Sequence, residues 1–303
     1  MDIAIMIEGQ NGLNWPRWQR IARAVEELGF AGLYRSDHFT NSNPPDIDSL
    51  ELWTSLTWLA GHTTRIEFGP LVSPVSFRDP RMTARIARDV DDLSGGRLTL
   101  GLGAGWQERE HTNFGYDLLD MQGRFARFEE GLQVVTRLLR SHEPVSLDGK
   151  YYHLHEATLL PRPLRPGGPP LLIGGAGPQR TLPLVARYAD EWNAVFVPVA
   201  RWVELNARLD DFLRANGREP QSVRRSLMTG VVFGRDPAEL ERKLHGRNAA
   251  ELIERGLIVG TSAEVKQQLG RLSEAGLQRV MLQWLDLDDL EGLEVFAKVV
   301  LPA

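Results

Sequence analysis

Short apolar runs alternate with longer amphipathic stretches from one end of the chain to the other. Residues 3–7 read as a strand buried on both faces. Residues 15–28 read as the helix that follows, because Trp18, Ile21, Val25 and Leu28 recur at the three- and four-residue spacing of one helical face. Gly29 ends that helix as a C-terminal cap. The alternation continues with strands at 32–35, 65–72, 97–102, 171–173, 192–197, 227–233 and 279–284. Helices are expected at 49–60, 79–93, 123–139, 178–189, 201–216, 262–275 and 287–300. Eight strand–helix units in sequence are the count for a closed parallel (β/α)8 TIM barrel. A doubly wound open sheet is the competing architecture. It asks for a glycine-rich turn after the first strand, and Glu8-Gly9-Gln10-Asn11-Gly12 does not supply GxGxxG.

Two stretches interrupt the alternation. Residues 141–170 are rich in Pro and Gly and read as an insertion with room for a hairpin; residues 236–260 read as a second insertion, helical over 236–255. No short repeat or low-complexity linker divides the chain, so residues 1–303 read as one domain. That length is ordinary for a single α/β barrel. The net charge of −5, with both signs well mixed, argues against a nucleic-acid partner. It also means that any anionic ligand must be held by local donors. The absence of cysteine excludes disulfides, thiolate metal sites and a cysteine nucleophile. No paired-histidine spacing, HExxH or EF-hand loop indicates a metal, and no GxSxG elbow is present. Met1–Met6 is too short and acidic for a signal peptide, and no apolar run reaches membrane-spanning length. A soluble, cytoplasmic protein without a membrane partner is expected.

Active sites of such barrels form where strands end. After the second strand stand Asp37 and His38: either a proton-transfer pair, or a turn cap beside an incidental histidine. Gly69-Pro70-Leu71-Val72-Ser73-Pro74 ends the third strand, either as a bulge presenting main chain to a flat ring or as a plain terminator. The alternate glycines of Gly101-Leu102-Gly103-Ala104-Gly105-Trp106 let a ligand or another backbone approach closely. His111 beyond them is either a ring-edge contact or a surface residue. Gly174-Gly175-Ala176-Gly177, followed by Arg180 and Thr181, brings exposed backbone N–H groups and a full positive charge to a helix start, a ready phosphate site. The alternative is a tight turn with a surface arginine. Glu8, Glu108 and Glu110 are the carboxylates available for a glycosidase-like pair, without a spacing that sets their separation.

Several of these segments together resemble the luciferase-like monooxygenase superfamily, and particularly its coenzyme F420-dependent branch. They are Gly32-Leu33-Tyr34-Arg35-Ser36-Asp37-His38-Phe39, Leu93-Ser94-Gly95-Gly96-Arg97, Gly101–Trp106 with Glu110-His111, and Pro170–Gly175 with Arg180-Thr181-Leu182. Residues 186–193, 260–264 and 279–283 extend the resemblance over nearly the whole chain. It implies a barrel that holds FMN or the deazaflavin F420 in its mouth. It also implies a non-prolyl cis peptide near Leu71-Val72 pressing on the ring. Asp37 and His38 match the pair beside the ring, with His38 as proton donor or acceptor. Ala104, Gly105 and Trp106 match the loop bordering the ring; Gly174 to Gly177, Arg180 and Thr181 match the phosphate loop. Glu8 and His111 are candidates for substrate contact, and Arg78 and Arg109 for an oligoglutamate tail.

Hydride transfer between the deazaflavin and a small organic substrate is the activity this implies. Two alternatives stand beside it. One is an FMN-dependent monooxygenase using reduced flavin from a partner reductase and O2; the other is a flavin- or deazaflavin-binding protein without turnover. A reductase or dehydrogenase that supplies reduced cofactor is an implied partner, and a homodimer is the implied assembly. The identity of the substrate is not legible in the sequence.

Overall fold

The apolar runs lack polar alternation because both faces of each strand are covered, as in parallel sheets generally. The computed structural model describes residues 1–302. Its strands are β1 (Asp2–Ile7), β2 (Gly32–Arg35), β3 (Glu67–Pro70), β4 (Ser73–Pro74), β5 (Leu100–Gly103), β6 (Val145–Asp148), β7 (His153–Ala157), β8 (Leu171–Gly174), β9 (Glu191–Val195), β10 (Arg224–Phe233), β11 (Ile258–Gly260) and β12 (Arg279–Gln283). The order β3-β2-β1-β12-β10-β9-β8-β5-β4 is parallel throughout. A parallel bridge from Phe68 to Leu98 joins β3 to the residues leading into β5, with Thr99 N–H donating to Phe68 O at 2.8 Å, and closes the ring. β3 and β4 are two halves of one stave, so the barrel has the eight staves expected from the alternation.

Local chemistry sets the helices. Trp15–Leu28 starts at Asn14, whose side chain accepts from Arg17 N–H at 3.2 Å, and ends at Gly29 with φ 92°. Its buried face is Trp18, Ile21, Ala22 and Val25, laid against the outside of the barrel. The helix expected from residue 49 runs instead from Leu52 to His62, because Glu51 caps it by accepting from Thr54 N–H at 2.6 Å.

Elsewhere the structure departs from the pattern. The third stave is not continuous: it stops at Pro70, passes through a cis Leu71-Val72 peptide and resumes at Ser73. β5 begins at Leu100 rather than 97, since Arg97 N–H turns back onto Ser94 Oγ at 3.0 Å. Residues 141–170 carry the antiparallel hairpin β6–β7, outside the barrel sheet. The segment after 236 forms two helices, Pro237–Leu244 and Ala249–Glu254, interrupted by His245 and Gly246 at φ 50° and 74°. A strand follows that periodicity did not mark: β11 extends β10 beyond the barrel by pairing with Val231–Phe233. Among the described residues no helix is long and apolar enough to cross a membrane.

Closure rests on backbones too close for side chains. A Cβ on Gly69 would stand 1.9 Å from Thr99 O, and one on Gly101 would stand 2.0 Å from Pro70 O. Gly103 and Gly174 make room for Val72, whose methyl carbons would lie 2.5 and 3.0 Å from Cβ atoms at those positions. Of the two readings of the glycine-rich fourth strand, close approach of a neighbouring stave accounts for Gly101 and Gly103. The opposite end of the barrel is sealed by Arg279, 1% exposed, which donates to Tyr34 Oη at 2.5 Å and pairs with Glu67 and with Glu191 at 3.3 Å. The cavity that reaches the barrel interior opens at the C-terminal ends of the staves.

Gly101→Ala is expected to destabilise the fold by about 1–3 kcal/mol or more, because the new methyl meets main chain that cannot swing away. Gly61→Ala, in an exposed helical position with no atom within 4 Å, should instead stabilise by roughly 0.5–1 kcal/mol. Urea denaturation of the two variants checks the contrast; equal midpoints would contradict it.

Candidate active site

A cavity of about 560 Å³ opens at the C-terminal mouth. Its apolar wall includes Met6, Leu71, Val72, Ala104, Phe125 and Met228; His38, Glu8, Glu110 and Arg124 are its titratable members. Every barrel stave but β12 places a residue in this wall or ends beside it, β10 through Met228 at mid-strand, and β12 reaches it through Gln283, whose amide donates to Glu8 Oε1 at 2.5 Å.

His38 follows β2, and its ring is fixed by a residue far along the chain. Nδ1 lies 2.8 Å from Glu110 Oε1, while Glu110 Oε2 accepts from Phe39 N–H at 2.9 Å. Facing a carboxylate, Nδ1 carries the ring proton, and the tautomer that follows leaves Nε2 as the acceptor. Burial alone would push the His38 pKa down. The hydrogen bond and charge of Glu110, with Glu8 and Asp37 adding, outweigh it and hold the imidazole above its ordinary value. Glu110 is 1% exposed and stands in the short helix Glu108–Phe114, which ends at Gly115 with φ 73°. The indole of Trp106 meets the His38 ring edge-on at 5.6 Å.

The neighbouring residue in sequence behaves differently. The structure does not bring His111 to the cavity: Nδ1 donates to Gln107 O at 2.7 Å, and Nε2 is 2.8 Å from Ser76 Oγ. Burial dominates there and lowers its pKa, so His111 is a neutral packing residue against Phe77. Gly105, at φ 85°, makes the turn that lets Ser76 and His111 approach.

Asp37 is likewise turned from the cavity. Arg78 binds both its carboxylate oxygens, and Ser73 Oγ donates to Oδ2 at 2.9 Å. Asp37 thus ties β2 to the half-stave that resumes after the cis peptide. Arg78 is engaged by Asp37 and by Glu51 at 2.7 Å, and Arg109 by Asp46 at 2.6 Å, so neither guanidinium is free for a ligand tail.

Glu8 does line the cavity, fixed by Gln283 and by Gln10 Nε2 at 2.9 Å. Across the mouth, Gly174, Gly175 and Thr181 also line it. In that loop Gly175 N–H donates to Asn193 O at 2.9 Å and Thr181 N–H to Gly177 O at 3.0 Å. Among the described residues the N–H groups of Ala176 and Gly177 have no acceptor, and they sit before the start of helix Thr181–Tyr188. The Arg180 guanidinium lies over the Phe125 ring at 5.9 Å, at the edge of the same wall.

Arg124, Phe125 and Met228 carry no sequence signal; Glu110 and Asn193 belong to the segments of the family resemblance, but the sequence assigns Asn193 no role and Glu110 only that of a candidate in a carboxylate pair. No local signal ties Glu110 to His38, since the pair is made by tertiary folding across 72 positions.

The family model of luciferase-like monooxygenase matches residues 1–250. The chain is 28% identical to an F420-dependent glucose-6-phosphate dehydrogenase of Kineococcus radiotolerans over 71% of its length, a match that spans 63% of that relative. It is 29% identical to the 4-hydroxyprotoasukamycin monooxygenase of Streptomyces nodosus subsp. asukaensis, covering 96% of this chain and 87% of the relative. The fold is similar to that of an F420-dependent secondary alcohol dehydrogenase solved with an F420-acetone adduct, with a TM-score of 0.87 at 18% identity over 99% of this chain and 98% of that one. The chain belongs to the luciferase-like monooxygenase family.

Proposed function

We propose that this oxidoreductase moves a hydride between the deazaflavin F420, held in the barrel mouth, and a small organic substrate. One observation carries the reading: buried Glu110 hydrogen-bonds Nδ1 of His38, a residue that lines a cavity whose other side ends in a loop with unengaged backbone N–H groups. Its relatives include enzymes named for F420.

The residues present fit such a group. Leu71 and Val72 offer a flat apolar wall, with Ala104, Gly105 and Trp106 bordering it. The free N–H groups of Ala176 and Gly177, the helix start at Thr181 and the charge of Arg180 suit a phosphate. When bound, a deazaflavin supplies a ring carbon that accepts or gives a hydride. His38 Nε2 takes the proton of a substrate hydroxyl, or returns it in the reverse direction, and Glu110 stabilises the imidazolium that results. Glu8 supplies a fixed acceptor on the substrate side.

A second reading is FMN-dependent monooxygenation with a separate reductase. The near full-length match to a monooxygenase favours it, and the same wall and loop serve either ring.

Titrating the protein with F420 and with FMN, followed by fluorescence, separates the two. The proposal expects F420 to bind in the micromolar range or tighter and FMN more weakly; the reverse order supports the monooxygenase reading. His38→Ala is expected to lower turnover by about 10²–10⁴-fold with cofactor affinity nearly unchanged. Unaltered turnover would remove His38 from the chemistry. Because the negative charge of Glu110 raises the His38 pKa, Glu110→Gln lowers it. For alcohol oxidation the activity that depends on neutral His38 should then appear at lower pH than in the wild type. A limb that stays in place or moves upward in the pH–rate profile would contradict the coupling.

A further inference from the structure

The inner face of the barrel under and around the cavity is largely apolar, built of Met6, Leu71, Leu172, Met228 and Met281 with the ring of Tyr34. One amide breaks this layer. Asn193, in the middle of β9, is 1% exposed and lines the cavity. Its Nδ2 donates to Ser226 Oγ at 3.0 Å and lies 3.5 Å from Met281 Sδ. Its Oδ1 is buried and has no partner among the described residues.

The orientation of this amide is set by its neighbour. Ser226 Oγ donates its only proton to Trp192 O at 3.0 Å, so towards Asn193 the hydroxyl acts as an acceptor. Asn193 must therefore present its NH2 to Ser226 and its carbonyl oxygen elsewhere. Turning the amide over would need the Ser226 proton for Asn193 and so cost the hydrogen bond to Trp192 O. Buried acceptors without partners are uncommon and costly, and a cavity-lining one held in place by a second residue is suited to a ligand.

We infer that Asn193 is a ligand-recognition residue whose Oδ1 accepts a hydrogen bond from the cofactor. The inference rests on the cofactor reading above. Two donors on such a molecule share this chemistry: the imide N–H of the ring, and a hydroxyl of the polyol chain between ring and phosphate. The second has proximity in its favour, because Asn193 O accepts from Gly175 N–H at the start of the anion loop. Asn193 is a positioning residue in this account and takes no part in proton or hydride transfer.

Asn193→Leu tests it, since leucine matches the shape and removes both polar atoms. Fluorescence titrations of wild type and variant would use F420, FMN, 3-methyl-FMN, and a flavin carrying a plain phosphopentyl chain at N10. The expected result is a loss of about tenfold to a hundredfold in affinity for whichever of F420 and FMN the wild type binds. That loss should disappear with the 3-methyl ring if the imide is the donor, or with the phosphopentyl chain if a hydroxyl is. The ligand-free thermal midpoint should stay or rise, because an unpaired buried acceptor has been removed. A lower midpoint with equal losses for all four ligands would make Asn193 merely structural and overturn the inference. So would undiminished affinity for F420 and FMN in the variant, which leaves the cofactor reading standing. Binding of neither molecule by the wild type overturns both. Should the leucine variant fail to fold, Ser226→Ala carries the test: it frees the amide to turn, and unchanged affinity for F420 and FMN counts against the inference.

Discussion

Main chains packed closer than any side chain allows are the constraint on which this barrel depends. Gly69 lies against Thr99 and Gly101 against Pro70, and Val72 fits where Gly103 and Gly174 carry no Cβ. These contacts join the broken third stave to its neighbour and close the ring. They also make Leu71 and Val72 the wall of the mouth. Asp37 belongs to the same construction: bound by Ser73 and Arg78, it anchors the half-stave beyond the cis peptide to β2. An acidic residue next to His38 in sequence thus serves geometry, while the histidine takes its carboxylate from elsewhere.

The electrostatics of the mouth follow from that division of work. His38 sits where burial and negative charge oppose each other, and the charge prevails because Glu110 is both adjacent and hydrogen-bonded. Across the cavity, the side proposed for an anion is made of backbone N–H groups and a helix start rather than of a basic field, consistent with a chain of net charge −5. Both sides line one cavity at the mouth, while Arg279 and its acidic partners close the barrel interior at the far end.

Much of the fold was legible because its signals are local. Trp18, Ile21 and Val25 mark one helical face, Gly29 marks its end, and strand and helix alternate around the barrel apart from the insertions. What was not legible depends on distance. Periodicity does not show β11, only three residues long and stabilised by pairing with the overhang of β10. Nor does it show that Arg78 and Arg109 are engaged by Asp37, Glu51 and Asp46, or that His111 turns inward to Ser76. The Asp37-His38 and Gly174–Thr181 segments drew notice through composition at strand ends. Glu110 and Asn193 acquire meaning only through partners brought to them by folding, His38 and Ser226 respectively.

The central claim is spatial: one planar ring fits between the Leu71-Val72 wall and His38, with its phosphate on the loop before Thr181. A crystal structure of the protein soaked with F420 tests it directly. The account requires the phosphate within hydrogen-bonding distance of the Ala176 and Gly177 N–H groups, and His38 Nε2 facing the ring. Density for the ring outside the mouth, or a phosphate held away from that loop, would contradict it.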